Sequence, residues 1–230
     1  AEIIRAAGLY QVALCGRSQE PIKTAETRLP ANLCPLIKAS FGHVMEESCP
    51  YAFFSDIVVG ETTCDGKKKM YELLGELKPM QVIHLPNVPD YERSLDMWVS
   101  EIRAFKEGLE EKFNIKITDE MLEDSIKWCN KERAQHAHLY ELGRYNPPAI
   151  TGKSMNDVSD GLQFMFNPEE KYNKIQEIIE QCEENWKNGI YPVEPDPYRP
   201  RLIVSGGGYA GTSQKTIDVI EELGGSIVCY

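Results

Sequence analysis

The chemistry this sequence most readily offers lies in its seven cysteines: Cys15, Cys34, Cys49, Cys64, Cys129, Cys182 and Cys229. An odd count, in a chain whose opening residues AEIIRAAGLYQVALC read as helix end followed by strand rather than as a secretory leader, argues against a disulfide framework. Reduced thiols serve as small buried hydrophobes, as metal ligands or as redox groups. Position separates these uses. Cys34 precedes Pro35 at the predicted start of a helix, Cys49 precedes Pro50 at the predicted end of one, Cys64 falls between strand and helix, and Cys15 closes a predicted strand. Helix N-termini carry partial positive charge that favours thiolate, and the carboxyl ends of parallel strands converge on one crevice. Cys129 and Cys182 fall mid-helix and Cys229 mid-strand, so these three read as packing residues.

The spacing then bears on the metal. Structural zinc favours close pairs such as C-x2-C, and none occurs here. Thiols 15 to 19 residues apart suit an iron–sulfur cluster held between elements, for which thiolate is the customary ligand. Gly60 and Gly66 flank Cys64 and would let backbone come close to such a cluster.

Other constellations offer less. His136 and His138 are two residues apart, so on a helix they point away from one another, and His43 and His84 are isolated. Gly206, Gly208 and Gly211 fit G-x-G-x-x-G between a predicted strand and helix, where a phosphate can bind. The same glycines also serve simply to let a helix pack near a strand. The stretch GETTCDGKK fails as a P-loop, because five residues separate Gly60 from Gly66 and no Ser or Thr follows Lys67. No serine sits in a G-x-S-x-G elbow. The acidic residues lie opposite apolar stripes on predicted helices and read as solvated faces, as do Lys67, Lys68 and Lys69.

The elements that must position the thiols alternate. Strands are predicted over 10–15, 53–59 and 81–85, and helices over 33–47 and 66–77, which is the pattern of an α/β unit with a mainly parallel sheet. Helices then follow over 91–113, 118–142, 156–166 and 168–187. Thr118 is a candidate N-cap and Gly143 a stop. YPVEPDPYRP, with four prolines in ten residues, reads as a linker. RLIVSGGGYAGTSQKTIDVIEELGGSIVCY reads as strand, glycine-rich turn, helix and strand, the opening of a second βαβ unit. The expected organisation is a first α/β domain over 1–90, a helical connecting region over 91–190, and a linker with the start of a second α/β domain over 191–230. Both ends read as cut through elements of a longer protein.

Composition sets outer limits. Hydrophobic residues make up 42% and charged residues 27%, as in ordinary globular chains, so 230 residues can bury a substantial core. The net charge of −11 argues against nucleic acid as the main partner, since phosphate binding needs a basic footprint. No apolar run approaches the ~20 residues that span a membrane. A cytoplasmic chain is expected.

LPANLCPLIKASFG followed by SDIVVGETTCDGKKKMYELL resembles the 2-hydroxyacyl-CoA dehydratase D-component family, which includes benzoyl-CoA reductase subunits. GRSQEPI near Cys15, CPYAFFSD at Cys49 and GETTCDGKKKMYELL are most similar to its double-cubane cluster branch. The resemblance covers essentially the whole chain. It implies two flavodoxin-like or Rossmann-like α/β domains joined by helices, with clusters held between them. It places the family's shared ligands on Cys34 and Cys64, and the additional ligands of the double-cubane branch on Cys15 and Cys49. It implies a 4Fe–4S cluster or an 8Fe–9S double cubane, fed by a separate ATP-hydrolysing iron–sulfur activator, in a homodimer or heterodimer. Gly207 stands where that branch carries a cysteine, and the third shared cysteine would fall just past Tyr230. The leading expectation is therefore an iron–sulfur oxidoreductase of the double-cubane type passing low-potential electrons to small or stable acceptors. A 2-hydroxyacyl-CoA dehydratase subunit and a non-catalytic partner subunit are the alternatives, and a nucleotide-binding dehydrogenase using Gly206, Gly208 and Gly211 is more remote.

Overall fold

A computed structural model describes residues 1–14, 16–205 and 214–230. The chain forms two compact units, one of residues 1–9 and 13–122, the other of residues 10–12 and 123–230. Each contains one parallel strand pair joined through a helix, so the α/β class expected from the sequence holds.

In the first unit the helices are α1 (Glu2–Ala6), α2 (Ile22–Ala25), α3 (Pro35–Met45), α4 (Pro50–Phe54), α5 (Asp65–Leu74) and α6 (Ser94–Phe113). Strand β1 (Val58–Glu61) pairs in parallel with β2 (Met80–Ile83), from Val58 opposite Met80 to Glu61 opposite Ile83, and α5 makes the crossover. One core gathers Ile37, Phe41 and Val44 of α3 with Met70, Tyr71 and Leu74 of α5, over Ala25, Leu29 and Ala52. A second joins Ala6 to Phe105, Leu109 and Ile117. Only the second half of the α6 stripe is buried: Leu95 is 70% exposed, whereas Leu109 is 1%.

Two predicted strands are corrected. Residues 10–14 form no strand, because β1 and β2 pair only with each other; Leu14 instead packs on the first core. Cys15 lies outside the described residues. The run predicted as strand from Phe53 begins as helix. Pro50 biases Cys49 to extended backbone and itself fits the first helical position, so PYAFF closes one helical turn, with Phe53 N–H donating to the Cys49 carbonyl. Lys78 Nζ then donates to the carbonyls of Phe53 (2.6 Å) and Ser55 (3.0 Å), satisfying the helix end before β1 starts at Val58.

The end of α6 shows a local device of another kind. Asn114 takes the left-handed conformation that stops the helix, and Glu110 accepts hydrogen bonds from Ile117 N–H (2.7 Å) and Lys106 Nζ (3.0 Å), with Lys116 at 3.5 Å. The Ile117 amide first, and then Lys106, hold the Glu110 carboxyl down at about 2. Its folded pKa thus lies below its unfolded value, so the stabilisation is present above roughly pH 4.3 and is lost as pH falls towards 2. Glu110→Gln should therefore flatten the acid limb of a stability-versus-pH curve in that window. Urea unfolding at a series of pH values checks this, and an unchanged slope would rule it out.

In the second unit, α7 (Asp119–Glu141, of which Asp119–Leu122 belong to the first unit) is followed by α8 (Gly152–Gly161), α9 (Pro168–Lys187) and α10 (Gln214–Glu222). Thr118 Oγ1 accepts from Met121 N–H at the start of α7, as expected of a cap. Helix α8 begins four residues earlier than predicted because Thr151 caps it through Ser154 N–H (3.0 Å). Strands β3 (Arg201–Ile203) and β4 (Ser226–Cys229) pair in parallel around α10. The core brings Leu139, Leu142, Ile150 and Met155 against Ile175 and Ile179. The glycine-rich turn with Gly206, Gly207, Gly208 and Gly211 lies outside the described residues.

Candidate metal centre

Three of the four candidate cysteines are described, and each N-caps a helix. Cys64 caps α5 in an extended conformation, and its Sγ accepts from Lys67 N–H at 3.4 Å. Cys34 occupies the N-cap position of α3, before Pro35 at the first helical position, without a side-chain cap hydrogen bond. Cys49 caps the single turn of α4.

The first turns of α3 and α5 meet. A Cβ on Gly66 would lie 2.9 Å from the side chains of both Leu33 and Ile37, which stand one residue before and three after Cys34. Gly66 is two residues beyond Cys64, so the contact brings together the N-terminal ends of α3 and α5, which carry the exposed Cys34 and Cys64. Gly66 thereby has a packing reason: it lets two helices approach. Gly60 has another, since a Cβ there would meet the Tyr71 ring at 2.6 Å and Met80 at 2.8 Å.

Cys49 stands beyond the opposite end of α3, where α4 begins. Ser48 N–H donates to the His43 carbonyl, which keeps the following Cys49 at the last turn of α3. Eleven residues of helix, roughly 16 Å of rise, separate that end from Cys34. Cys49 is half-buried and packs on the first core. Among the described residues no three His, Cys, Asp or Glu side chains gather closely enough to hold a metal ion. Cys34 and Cys64 are exposed at the N-terminal ends of α3 and α5, which meet at Gly66.

The remaining thiols behave as expected of packing groups. Cys129 is buried in α7, and Cys182 is half-buried against the second unit's core, where burial and then Glu183 raise its pKa. Lys68 pairs with Asp65 and Lys69 with Glu72 on their own helix, so two of the three lysines are matched locally. His138 does find a partner, Glu183 at 3.0 Å, on α9. Burial lowers the pKa of His136.

Two residues beside the thiols escaped the sequence reading. Tyr71 lies over Gly60 with its phenol hydrogen-bonded to the Glu61 backbone and close to Cys64; burial, chiefly, raises its pKa. Lys38 is buried in α3. Its only signal in the sequence is that PLIKASFGHVM holds no other lysine, arginine or carboxylate.

The chain belongs to the 2-hydroxyglutaryl-CoA dehydratase, D-component family, which it matches over residues 1–230. It is similar to YjiM of Escherichia coli (strain K12), provisionally named a dehydratase subunit, with 42% identity over 229 residues. It is also similar to the lactoyl-CoA dehydratase subunit beta of Anaerotignum propionicum, with 27% identity over 196 residues. These alignments cover 100% and 84% of this chain but only 59% and 49% of the relatives. The chain thus spans about half the length of the curated relatives it matches.

Proposed function

We propose that this chain is the cluster-binding part of a 2-hydroxyacyl-CoA dehydratase-type subunit, in which Cys34 and Cys64 are two thiolate ligands of an iron–sulfur cluster. The observation that carries this reading is the contact of Gly66 with Leu33 and Ile37, which sets the two exposed thiols at adjoining helix ends. When bound, such a cluster supplies one-electron reduction, the chemistry by which a dehydratase of this type eliminates water from a CoA thioester. The chain's own groups hold and tune it: two thiols at helix N-termini, and an N–H from Lys67 donated to the Cys64 sulfur. Electrons come from an ATP-hydrolysing iron–sulfur activator. The names of the relatives support assembly with a further subunit, so a heterodimer or homodimer in the reducing cytoplasm completes the reading. Each parallel strand pair is then part of a larger flavodoxin-like sheet.

A double-cubane oxidoreductase is the second reading, favoured by Cys15 and Cys49, which a single cluster does not need. Iron and sulfide per chain, measured on protein purified without oxygen, separate the two. About four irons support the dehydratase reading and about eight the double cubane, while none overturns both.

A further inference from the structure

Helix α3 carries one charge in its interior. Lys38 is 5% exposed, and its ammonium donates to Glu26 Oε1 at 2.6 Å and to the Ala31 carbonyl at 2.6 Å. The same residue's N–H donates to the Cys34 carbonyl at 3.1 Å. The Lys38 side chain therefore ties down the backbone just before the thiol, at Ala31, while its N–H makes the ordinary first-turn bond of α3 to the Cys34 carbonyl. Between these points the chain makes a turn closed by Leu33 N–H on the Pro30 carbonyl, with Ala31 and Asn32 at its exposed corner. A carbonyl at such a corner ordinarily faces water. Here a buried charge takes it.

A buried ammonium is expensive to keep unless its partners are well placed. Helix packing alone does not call for one, because Ile37, Phe41 and Val44 already fill the core side of α3. We propose that Lys38 is a positioning residue for the Cys34 thiolate: it fixes the Pro30–Leu33 turn and the α3 N-terminus as one rigid loop. This rests on Cys34 being a cluster ligand, as proposed above. Glu26 supplies the countercharge, and the Ala31 carbonyl supplies the tie to the loop.

The test compares Lys38→Met, the double variant Lys38→Met/Glu26→Gln, and Arg28→Met, in anaerobically purified protein. The double variant leaves no unpaired carboxylate and keeps the inference testable if Lys38→Met alone folds poorly. Arg28 lies on the same segment and pairs with Glu76 at 2.5 Å, so its loss removes an ion pair without touching the turn. The readouts are the rate of iron release to a chelator, bathophenanthroline disulfonate, and the EPR spectrum of the reduced protein, with circular dichroism as the check on folding. Iron release should quicken at least ten-fold in a folded Lys38 variant, with a shifted EPR spectrum, and stay within two-fold of wild type in Arg28→Met. Release within two-fold and an unchanged spectrum in a folded Lys38 variant would overturn the inference alone. Equal acceleration in Arg28→Met would assign the effect to general loosening and overturn it too. Wild-type protein without iron would overturn both the inference and the reading beneath it.

Discussion

Cys64→Ala is expected to lower iron from about four per chain to fewer than about one, with the fold retained. The two effects separate because the thiol contributes little to packing. Cys64 is exposed, and its sulfur, a weak acceptor, takes a 3.4 Å hydrogen bond from Lys67 N–H. Helix α5 is held by Met70, Tyr71 and Leu74 in the core, none of which the substitution touches. Loss of the cap should cost on the order of 1 kcal/mol, which leaves a folded protein in which to count iron. Cys182→Ala is the matched control: that thiol packs against the second unit's core, so the substitution should cost stability without changing iron. Cys49→Ala distinguishes the two cluster readings, leaving iron unchanged for a single cubane and lowering it for a double one. Iron equal to wild type in Cys64→Ala would remove Cys64 from the ligand set.

How much of this was legible follows from which physical signals are local. Proline before a helix start, glycine at a break and apolar spacing are local, so α3, α5, α6 and α9 were readable nearly to their ends, as was the distinction between cysteines at helix ends and cysteines on apolar faces. The strand read from Phe53 failed because the same local signals conflict there. The aromatic pair reads as strand, but Pro50 fits a first helical turn, and the deciding contact is Lys78, 23 to 25 residues away, on the carbonyls that end the turn. The candidate site shows the same limit. For Cys34 and Cys64 the place at a helix start could be read from their own neighbours, but Cys49, read as following the end of a helix, opens α4, which was not foreseen. The meeting of α3 with α5 could not be read in this way, because it depends on Gly66 facing Leu33 and Ile37 across about 30 residues of chain. Glycine there reads equally well as a hinge, a turn or room for a cofactor, and only the packed neighbour decides. Lys38 was invisible for a related reason: a lysine in a helix is assumed solvated until its oxygen partners are seen.

Gly42→Ala should be the most damaging substitution of a single methyl group in the first unit. A mid-helix glycine ordinarily costs a helix about 1 kcal/mol relative to alanine, so on propensity alone the change would stabilise. In the structure a Cβ at Gly42 would lie 2.1 Å from the Pro21 carbonyl oxygen and 2.8 Å from its carbonyl carbon and Cβ. The obstruction is backbone, which cannot rotate aside, and it sits where α2 rests on α3. Relief requires α3 to shift away from α2, which would pull Phe41, fully buried, and Val44 out of register with the core. Overpacking of this kind costs about 3 kcal/mol, enough to lower the melting temperature by roughly 10 °C in a unit of this size. Gly161→Ala supplies the contrast. That glycine ends α8 in helical geometry with nothing within 4 Å of a built Cβ, so alanine there should raise stability by about 0.5–1 kcal/mol. Thermal unfolding of the two variants should therefore move in opposite directions. Because α3 carries Cys34 at its far end, Gly42→Ala should also quicken iron release, through displacement of the whole helix rather than of the ligand loop alone. A Gly42→Ala protein as stable as wild type would mean that α2 and α3 are not packed at this distance, and that the loop holding Cys34 has more freedom than its hydrogen bonds imply.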